Sequence, residues 1–265
     1  MQRPGNVRPG ARTAARAGVD SYTAGQLAWV VCAIFIAFFC RGVSGFGAGL
    51  IATPLLAFAL PMQVIVPLNT VLVSVLFVFI GIRDRRDVSW PELKPLLLPT
   101  LAGVIAGLFV FKSLENYVLL RLLGGFLVLY ALYTLIVQAY GLPQLRCSRA
   151  WAFPAAMLGA FIDMMFGGGG GPIVVIYLHA RGVTGLQFRA TVAIVWLVEM
   201  IARLCAYTSV GFYTRDVLLL AAALLVVVMA GTWAGERVGD RIRHETFSKI
   251  LAVMLLLSGV SLLVR

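Results

Sequence analysis

The sequence predicts an all-α membrane protein that crosses the bilayer several times, and two observations lead to this fold class. Hydrophobic residues occupy 61% of the 265 positions and charged residues 12%, with a mean hydropathy of +0.95, whereas soluble domains carry about 25% charged residues. Apolar runs at 64–82, 217–234 and 246–264 approach the roughly 20 residues that span a bilayer as a helix. Lipid must therefore surround most of the chain, and we expect a multi-pass protein of the cell (inner or plasma) membrane.

Composition argues against several functional classes. The formal net charge of +11 is spread over loops and tails, as in membrane proteins with basic cytoplasmic loops, so we expect no nucleic-acid partner. The four cysteines have no CxxC spacing and the two histidines are far apart, so no metal or cofactor motif is indicated. The sequence contains no Ser/His/Asp, Cys/His or paired-carboxylate arrangement, and we predict that the protein is not an enzyme.

Residues 1–24 differ from the rest of the chain in composition. They contain four arginines before the first acid, Asp20, together with proline and glycine, which disfavour a stable helix. We predict a disordered basic N-terminal tail. A targeting segment is the alternative, because transit peptides are also rich in arginine and poor in acids.

The remaining sequence contains one unit twice. Sliding the stretch SGFGAGLIATPLLAFALP (44–61) by 122 positions superimposes small and apolar positions of the two copies: Gly45, Gly47, Gly49 and Ile51 on Gly167, Gly169, Gly171 and Ile173. Further on, Ala106-Gly107 matches Ala230-Gly231 with little drift. Because self-similarity marks a repeated structural unit, we predict two membrane repeats, 25–139 and 150–265, joined by a polar linker over 140–149.

Each repeat is predicted to contain an apolar segment, a Gly-rich interruption, a short apolar segment and three longer spans. The segments are 26–40, 46–60, 64–82, 95–111 and 118–138, and then 151–166, 171–180, 187–207, 217–235 and 246–264. The shorter ones cannot cross a bilayer as straight helices, and paired short, Gly-interrupted segments are typical of transporter binding sites. We therefore predict about 8–10 transmembrane segments, with a Gly-rich broken or re-entrant helix near the bilayer centre in each repeat.

Basic loops predict how the repeats are oriented. The loop after the third segment carries four basic residues in the first repeat and only Arg215 in the second, and the next loop has the opposite bias. Since basic loops stay in the cytoplasm, the repeats are predicted to be inverted, with positions 85 and 241 on the cytoplasmic side. A parallel arrangement of four plus four spans with re-entrant Gly hairpins is the alternative, because it keeps the Arg-rich tail inside.

The Gly-rich interruptions are predicted to hold a small anion. A helix that begins after such a break presents unpaired N–H groups and a partial positive charge, and such ends bind oxyanions. Pro172 suits the first helical turn, where its missing N–H costs nothing. The alternative is that these glycines only allow close helix packing. The predicted substrate-binding residues here are Gly45, Phe46, Gly47, Ala48, Gly49, Gly168, Gly169, Gly170, Gly171 and Pro172.

Ionisable residues within apolar segments are functional candidates, because a charge in the bilayer is costly. Arg41 lies beside the first interruption and is predicted to bind substrate. Asp163 holds the equivalent position beside the second interruption. Glu199 and Arg203 are spaced i,i+4 and can pair on one helix face. We predict that Asp163 and this pair serve coupling or gating; a neutralised structural contact is the alternative for the pair.

Three uncharged polar residues in the first repeat complete the predicted substrate site. Asn69 and Thr70 lie within an apolar segment, and Thr53 lies in the short segment after the first interruption. Asn69 and Thr70 can donate to a ligand or merely hydrogen-bond between helices.

The sequence resembles the sulfite exporter TauE/SafE family of membrane permeases. The resemblance lies in the stretch GFGAGLIATPLLAFALP and its Gly-rich second copy FGGGGGPIVVIYLHARGV, and in VSWPELKPLLLPTLAGVIAGLF, which follows a basic loop. The resemblance covers nearly the whole chain after residue 25. It implies secondary transport of a small anion such as sulfite, a sulfonate or sulfoacetate, coupled to a proton or sodium gradient; a homodimer is left open. The second copy departs from the first, because Val175-Ile176 stand in place of Thr53-Pro54, so the two interruptions need not have equal roles.

Two other functions stay open. A non-transporting membrane assembly or scaffold protein would not need two matching central Gly interruptions. A cation or metal carrier would require more buried acids or Cys/His clusters than this sequence contains.

Overall fold

The computed structural model of the protein describes residues 23–45, 47–83, 87–141, 146–239 and 244–264. Within these ranges every regular element is helical, which confirms the all-α prediction. The helices are α1 (Ala24–Ser44), α2 (Ala48–Leu56), α3 (Met62–Arg83), α4 (Trp90–Ser113), α5 (Asn116–Tyr140), a 3-10 turn (Arg149–Trp151), α6 (Ala152–Phe166), α7 (Gly171–Ala180), α8 (Gly185–Val210), α9 (Arg215–Gly239) and α10 (His244–Val264).

Five helices in the described part of the chain, α1, α4, α5, α8 and α9, are long and apolar enough to cross a membrane. Their outer faces carry large apolar side chains such as Leu129 and Val226, which are 69% and 73% exposed. A helix surface of this kind requires a lipid solvent. The structure thus agrees with the prediction of a multi-pass membrane protein.

The bounds of the first two helices differ from the predicted segments 26–40 and 46–60. Helix α1 begins earlier because Thr23 and Gln26 form a capping box, each side chain bonding to the other residue's backbone N–H. It ends later, at a glycine C-cap, so its 21 residues make it one of the candidate spans. Helix α2 is shorter than predicted, because the chain turns over 57–60 before Pro61.

Both Gly-rich stretches interrupt the helices at positive φ angles. Between α1 and α2, Gly45 and Gly47 have φ of 81° and 86°, and between α6 and α7, Gly167 and Gly169 have φ of 78° and 112°. The first glycine of each stretch caps the preceding helix by donating its N–H to the carbonyl oxygen four residues earlier. Glycine is required here because L side chains rarely adopt such angles. The depth of these interruptions in the bilayer stays a prediction.

Helices of the first half pair with helices of the second half in a symmetric pattern. Helix α1 packs along α9 and α4 along α6, while α3 contacts α8 and α5 contacts α10. Exchanging α1–α5 for α6–α10 reproduces these four pairings. The equivalent glycines Gly107 and Gly231 lie at the α4–α6 and α9–α1 contacts. The repeats and their inversion stay predictions, and positions 85 and 241, like the tail over 1–22, lie outside the described residues.

Glycines away from the interruptions allow close helix packing. A Cβ on Gly42 of α1 would overlap the carbonyl oxygen of Thr232 in α9, and one on Gly235 would overlap that of Phe39. In the same way, a Cβ on Gly103 of α4 would overlap the carbonyl oxygen of Met157 in α6. Small residues at such contacts let membrane helices approach to backbone distance. These contacts hold the two halves of the chain together around the interruptions.

Candidate functional site

The start of α2 lies directly against the second interruption. A Cβ on Gly49 would overlap the carbonyl oxygen of Gly167. A Cβ on Gly168 would lie 2.7 Å from the backbone nitrogen of Leu50. Two backbones approach this closely only where side chains are absent. The interruption before α7 and the first turn of α2 are therefore in direct backbone contact.

Thr53, Phe166 and Asn69 join three helices beside this contact. The Thr53 hydroxyl donates to the carbonyl oxygen of Phe166 at 2.7 Å, and the Asn69 amide donates to the Thr53 Oγ1 at 3.1 Å. Thr53 and Asn69 are fully buried. The amide oxygen of Asn69 is buried without a hydrogen-bond partner in the described part of the chain. A buried acceptor of this kind is costly unless it serves a ligand or another polar group.

The Asp163 side chain binds the backbone of the second interruption. The backbone N–H of Gly170 donates to its Oδ1 at 2.9 Å, and the side chain is buried in the last turn of α6. The N–H of Gly170, one of the predicted anion donors, is therefore already used by a carboxylate. This arrangement also brings a carboxyl group next to the start of α7.

Glu199 and Arg203 form more than an isolated i,i+4 pair. The Arg203 Nη2 donates to the hydroxyl of Thr70 in α3 at 2.9 Å, and its Nη1 lies 3.6 Å from the Glu199 Oε1. The Asp163 carboxyl lies within electrostatic range of both Glu199 and Arg203. Arg203 is 1% exposed and Glu199 3%. The three predicted coupling residues are thus brought together in one buried cluster that joins α3, α6 and α8.

Arg41 reaches the site through two aromatic rings. Its guanidinium carbon lies 5.4 Å from the centroid of the Phe77 ring, and that ring is 5.2 Å from the ring of Trp196. A Cβ on Gly171 would lie 3.0 Å from the Trp196 ring. A cation over an aromatic face is stabilised by the ring quadrupole. Arg41 is therefore connected to the start of α7 through two contacting rings, which are tilted by 57° to each other.

The other residues predicted at the interruptions differ in the space around them. A Cβ on Gly45 or Gly47 would meet no atom within 4 Å, whereas one on Gly169 would lie 2.6 Å from the Phe126 ring. Ala48 is buried in the first turn of α2, and Pro172 lies in the first turn of α7. Phe46 lies outside the described residues.

Sequence reasoning missed the tyrosines around the charged cluster. The Tyr207 hydroxyl donates to the carbonyl oxygen of Met164 at 2.7 Å. The Tyr213 hydroxyl lies 3.4 Å from the carbonyl oxygen of Pro67. Tyr207 follows Arg203 by four residues, as Arg203 follows Glu199, so all three share one face of α8. That spacing was the signal that could have revealed Tyr207.

A second ionic cluster surrounds the buried Glu92 at the start of α4. The Glu92 carboxylate accepts from Arg181 at 2.9 and 3.1 Å and from the Tyr177 hydroxyl at 3.1 Å, while Arg149 lies 3.4 Å away. The hydrogen bond to Glu92 raises the pKa of the Arg181 guanidinium because it stabilises the charged form. The cluster ties the end of α7 to α4 and to the segment before α6, and sequence reasoning did not find it.

The protein is thus a multi-pass membrane protein with two interrupted helices. Buried charged side chains lie close to the interruptions. The family model of the sulfite exporter TauE/SafE matches residues 30–262. The chain belongs to this family, which consists of membrane transporters. The chain is also similar to the probable inner membrane transporter protein TsaS of Comamonas testosteroni, at 26% identity over 187 residues, which cover 69% of this chain and 75% of that protein. No solved structure matches the chain significantly.

Proposed function

We propose that the protein is a secondary permease of the cell (inner or plasma) membrane for a small sulfur-containing anion: sulfite, a sulfonate or sulfoacetate. The observation that carries this proposal is the contact of Gly49 with Gly167, which brings a helix start and a Gly-rich interruption together. Membership of the sulfite exporter TauE/SafE family supports the class of substrate. The similarity to an inner membrane transporter supports the location.

The anion is held by backbone N–H groups at the start of α2. The helical hydrogen-bond ladder of α2 begins at Ile51, whose N–H donates to the carbonyl oxygen of Gly47. The N–H groups of Ala48, Gly49 and Leu50 precede it and have no acceptor within the helix. Gly168 lies against the backbone nitrogen of Leu50, where a Cβ would be 2.7 Å away, so glycine keeps a side chain away from this donor. Because Gly170 already donates to Asp163, the first interruption contributes more donors than the second.

Uncharged and charged side chains complete the binding site. Asn69 and Thr70 follow each other in α3, and the first bonds Thr53 while the second bonds Arg203. A guanidinium next to hydroxyl and amide groups suits a sulfonate or sulfite oxygen. Arg41, which lies over the Phe77 ring of the Phe77–Trp196 contact, attracts the anion toward the site.

Two repeats that move against each other would give alternating access. The equivalent pairings of α1 with α9 and of α4 with α6 support a two-repeat organisation over 25–139 and 150–265. In transporters built from inverted repeats, rocking of one repeat against the other exposes a central site to each side in turn. Arg203, in the cluster with Asp163 and Glu199, bonds Thr70 of the first repeat, which supports a role of this cluster in coupling.

Anion flux into proteoliposomes tests the proposal. We expect the purified protein to carry labelled sulfite and methanesulfonate, and to carry chloride and sulfate much more slowly. Empty liposomes and the Gly169→Leu variant, checked for folding by size-exclusion chromatography, serve as controls. Equal flux of chloride would overturn the assignment to sulfur anions. Flux of sodium or zinc without any anion would favour a cation carrier, and no flux of any solute would favour a scaffold protein.

A further inference from the structure

We infer that the site at the start of α2 takes a singly charged oxyanion that still carries a proton, and that the side-chain oxygen of Asn69 accepts the hydrogen bond from that proton. The inference rests on the proposed transport function and narrows its substrate. Among the proposed anions, hydrogen sulfite, the monoprotonated form of sulfite, has such a proton near neutral pH. Sulfonates and sulfoacetate are fully ionised there, and ionised acids offer acceptors only.

The hydrogen-bond network fixes which end of the Asn69 amide is free. The hydroxyl of Thr53 donates its single hydrogen to the carbonyl oxygen of Phe166 at 2.7 Å. The Thr53 oxygen can then only accept from Asn69, so the amide nitrogen must be the atom that lies 3.1 Å from it. The amide oxygen of Asn69 is fully buried and has no hydrogen-bond partner within the described residues. A buried acceptor of this kind requires a donor.

This amide lies beside the contact between the second interruption and α2. A Cβ on Gly167 would be 3.7 Å from the amide nitrogen of Asn69 and 3.1 Å from the hydroxyl oxygen of Thr53. The carbonyl oxygen of the same glycine lies against Gly49 in the first turn of α2. One glycine is thus next to both the unpaired acceptor and the start of the helix. A ligand that binds both must offer acceptors to the helix N–H groups and a donor to Asn69.

The surroundings favour one negative charge over two. A helix start supplies about half an elementary charge. The side chains nearest to a Cβ on Gly167, those of Thr53, Val66 and Asn69, are uncharged. The Born cost of burying an ion rises with the square of its charge, so the sulfite dianion is more costly to bury here than hydrogen sulfite. Charge and hydrogen bonding therefore select the same species.

An anion without a proton would place an acceptor against an acceptor. The oxygens of methanesulfonate and of the sulfite dianion cannot donate to Asn69, so its oxygen would stay unpaired after binding. An unpaired buried acceptor lowers the affinity about tenfold to a hundredfold. Sites built to hydrogen-bond a substrate hydroxyl reject analogues that lack it for this reason. Asn69 is therefore a specificity-determining residue that selects hydrogen sulfite over sulfonates and over the dianion.

Calorimetric titration of the purified wild-type protein with sulfite and methanesulfonate tests this selection without any transport. Below the pKa of hydrogen sulfite we expect a constant affinity for total sulfite, and binding of methanesulfonate that is weaker by about tenfold or more. Above this pKa the affinity for total sulfite should fall about tenfold per unit of pH, as the protonated fraction does. The affinity for methanesulfonate, which does not titrate, reports any change in the protein itself. Selenite keeps its proton to a higher pH, so its affinity should begin to fall at that higher pH.

Replacing Asn69 by leucine should remove the selectivity. We expect Asn69→Leu to bind hydrogen sulfite and methanesulfonate with nearly equal affinity, a loss of selectivity of about tenfold or more. Asn116→Leu is the matched control, because that amide also bonds α3, but at the N–H of its first residue, Met62. This control should keep the selectivity of the wild type. If Asn69→Leu does not fold, the pH profiles of the wild type decide alone.

Three results would each overturn the inference: a constant affinity for total sulfite above the pKa, equal binding of methanesulfonate and hydrogen sulfite by the wild type, or unchanged selectivity in folded Asn69→Leu. Binding that requires sodium would also overturn it, since the Asn69 oxygen would then serve a cation.

Flux measurements separate this result from the proposed function. If hydrogen sulfite binds selectively but no anion moves, the role of Asn69 stands and the transport proposal fails. If sulfur anions are carried without this selectivity, the transport proposal stands and the inference fails. If the wild type binds neither anion, both fail.

Discussion

The hydroxyl of Thr53 donates to the carbonyl oxygen of Phe166 at 2.7 Å, which ties the middle of α2 to the last residue of α6. The same hydroxyl accepts the amide of Asn69 at 3.1 Å. One buried side chain thereby connects α2, the end of α6 and α3. The equivalent position in the second half is Val175, so this tie exists on one side of the site.

Replacing Thr53 by valine should loosen this junction. Thr53→Val keeps the shape of the side chain and leaves the Phe166 carbonyl and the Asn69 amide without their partner. A lost buried hydrogen bond costs about 1 kcal/mol. We expect a lower midpoint of thermal unfolding in detergent and a lower anion flux. Thr53→Ser retains the hydroxyl and serves as control; equal midpoints for the two variants would contradict the role of the hydrogen bond.

A methyl group at Gly49 should separate the two interruptions. Its Cβ would overlap the carbonyl oxygen of Gly167, so α2 must shift, at a cost of about 1–3 kcal/mol for an overpacked site. We expect Gly49→Ala to lose anion flux and to unfold at a lower temperature. Gly125→Ala is the matched control, because its Cβ meets no atom within 4 Å and alanine favours the helix by about 1 kcal/mol. The contact has no importance if both variants behave alike.

Side chains at Gly169 and Gly47 should have unequal effects. Both glycines have positive φ, which costs an L residue about 1–2 kcal/mol, but only Gly169 has a neighbour, the Phe126 ring, within contact distance. We therefore expect Gly169→Leu to abolish flux of sulfite, and Gly47→Leu to reduce it. Size-exclusion profiles establish that each variant is folded. Normal flux in both variants would mean that the glycines serve packing and that the anion binds elsewhere.

Loss of the charge at Arg41 should weaken anion binding more than turnover. Arg41 is buried over the Phe77 ring, and that ring contacts Trp196, which lies beside Gly171. A group that attracts the anion in all states changes KM and leaves kcat. We expect Arg41→Ala to raise the KM of flux, and Arg41→Lys to restore part of the affinity. A fall in kcat at constant KM would instead make Arg41 a residue of the conformational change.

Cysteine labelling should decide the orientation of the two halves. In a chain without its four native cysteines, Arg85→Cys and Arg241→Cys should both react with a membrane-impermeant maleimide only after the cytoplasmic face is opened. Basic loops stay in the cytoplasm, and inverted repeats bring these two loops to the same side. Labelling from opposite sides would remove the inverted arrangement and support the parallel one.

The sequence by itself determined the solvent and the class of fold. With 61% hydrophobic and 12% charged residues, the chain can fold only in lipid, where backbone groups must be paired inside helices. Local rules also located α7, whose observed range Gly171–Ala180 equals the predicted segment. Its start is determined by the Gly-rich sequence before it and by the proline in its first turn. They misjudged the start of α1, where the capping box of Thr23 and Gln26 was overlooked.

Only the tertiary structure decided which polar groups meet. Thr70 and Arg203 lie on different helices, and no local periodicity relates them; their hydrogen bond exists because α3 and α8 pack together. Thr53 and Phe166 are 113 residues apart and meet because Gly49 and Gly167 allow backbone contact. The sequence names the candidate groups, since buried polar residues are costly and few. Their partners depend on helix packing, in which small residues set the distance between backbones over the whole length of the chain.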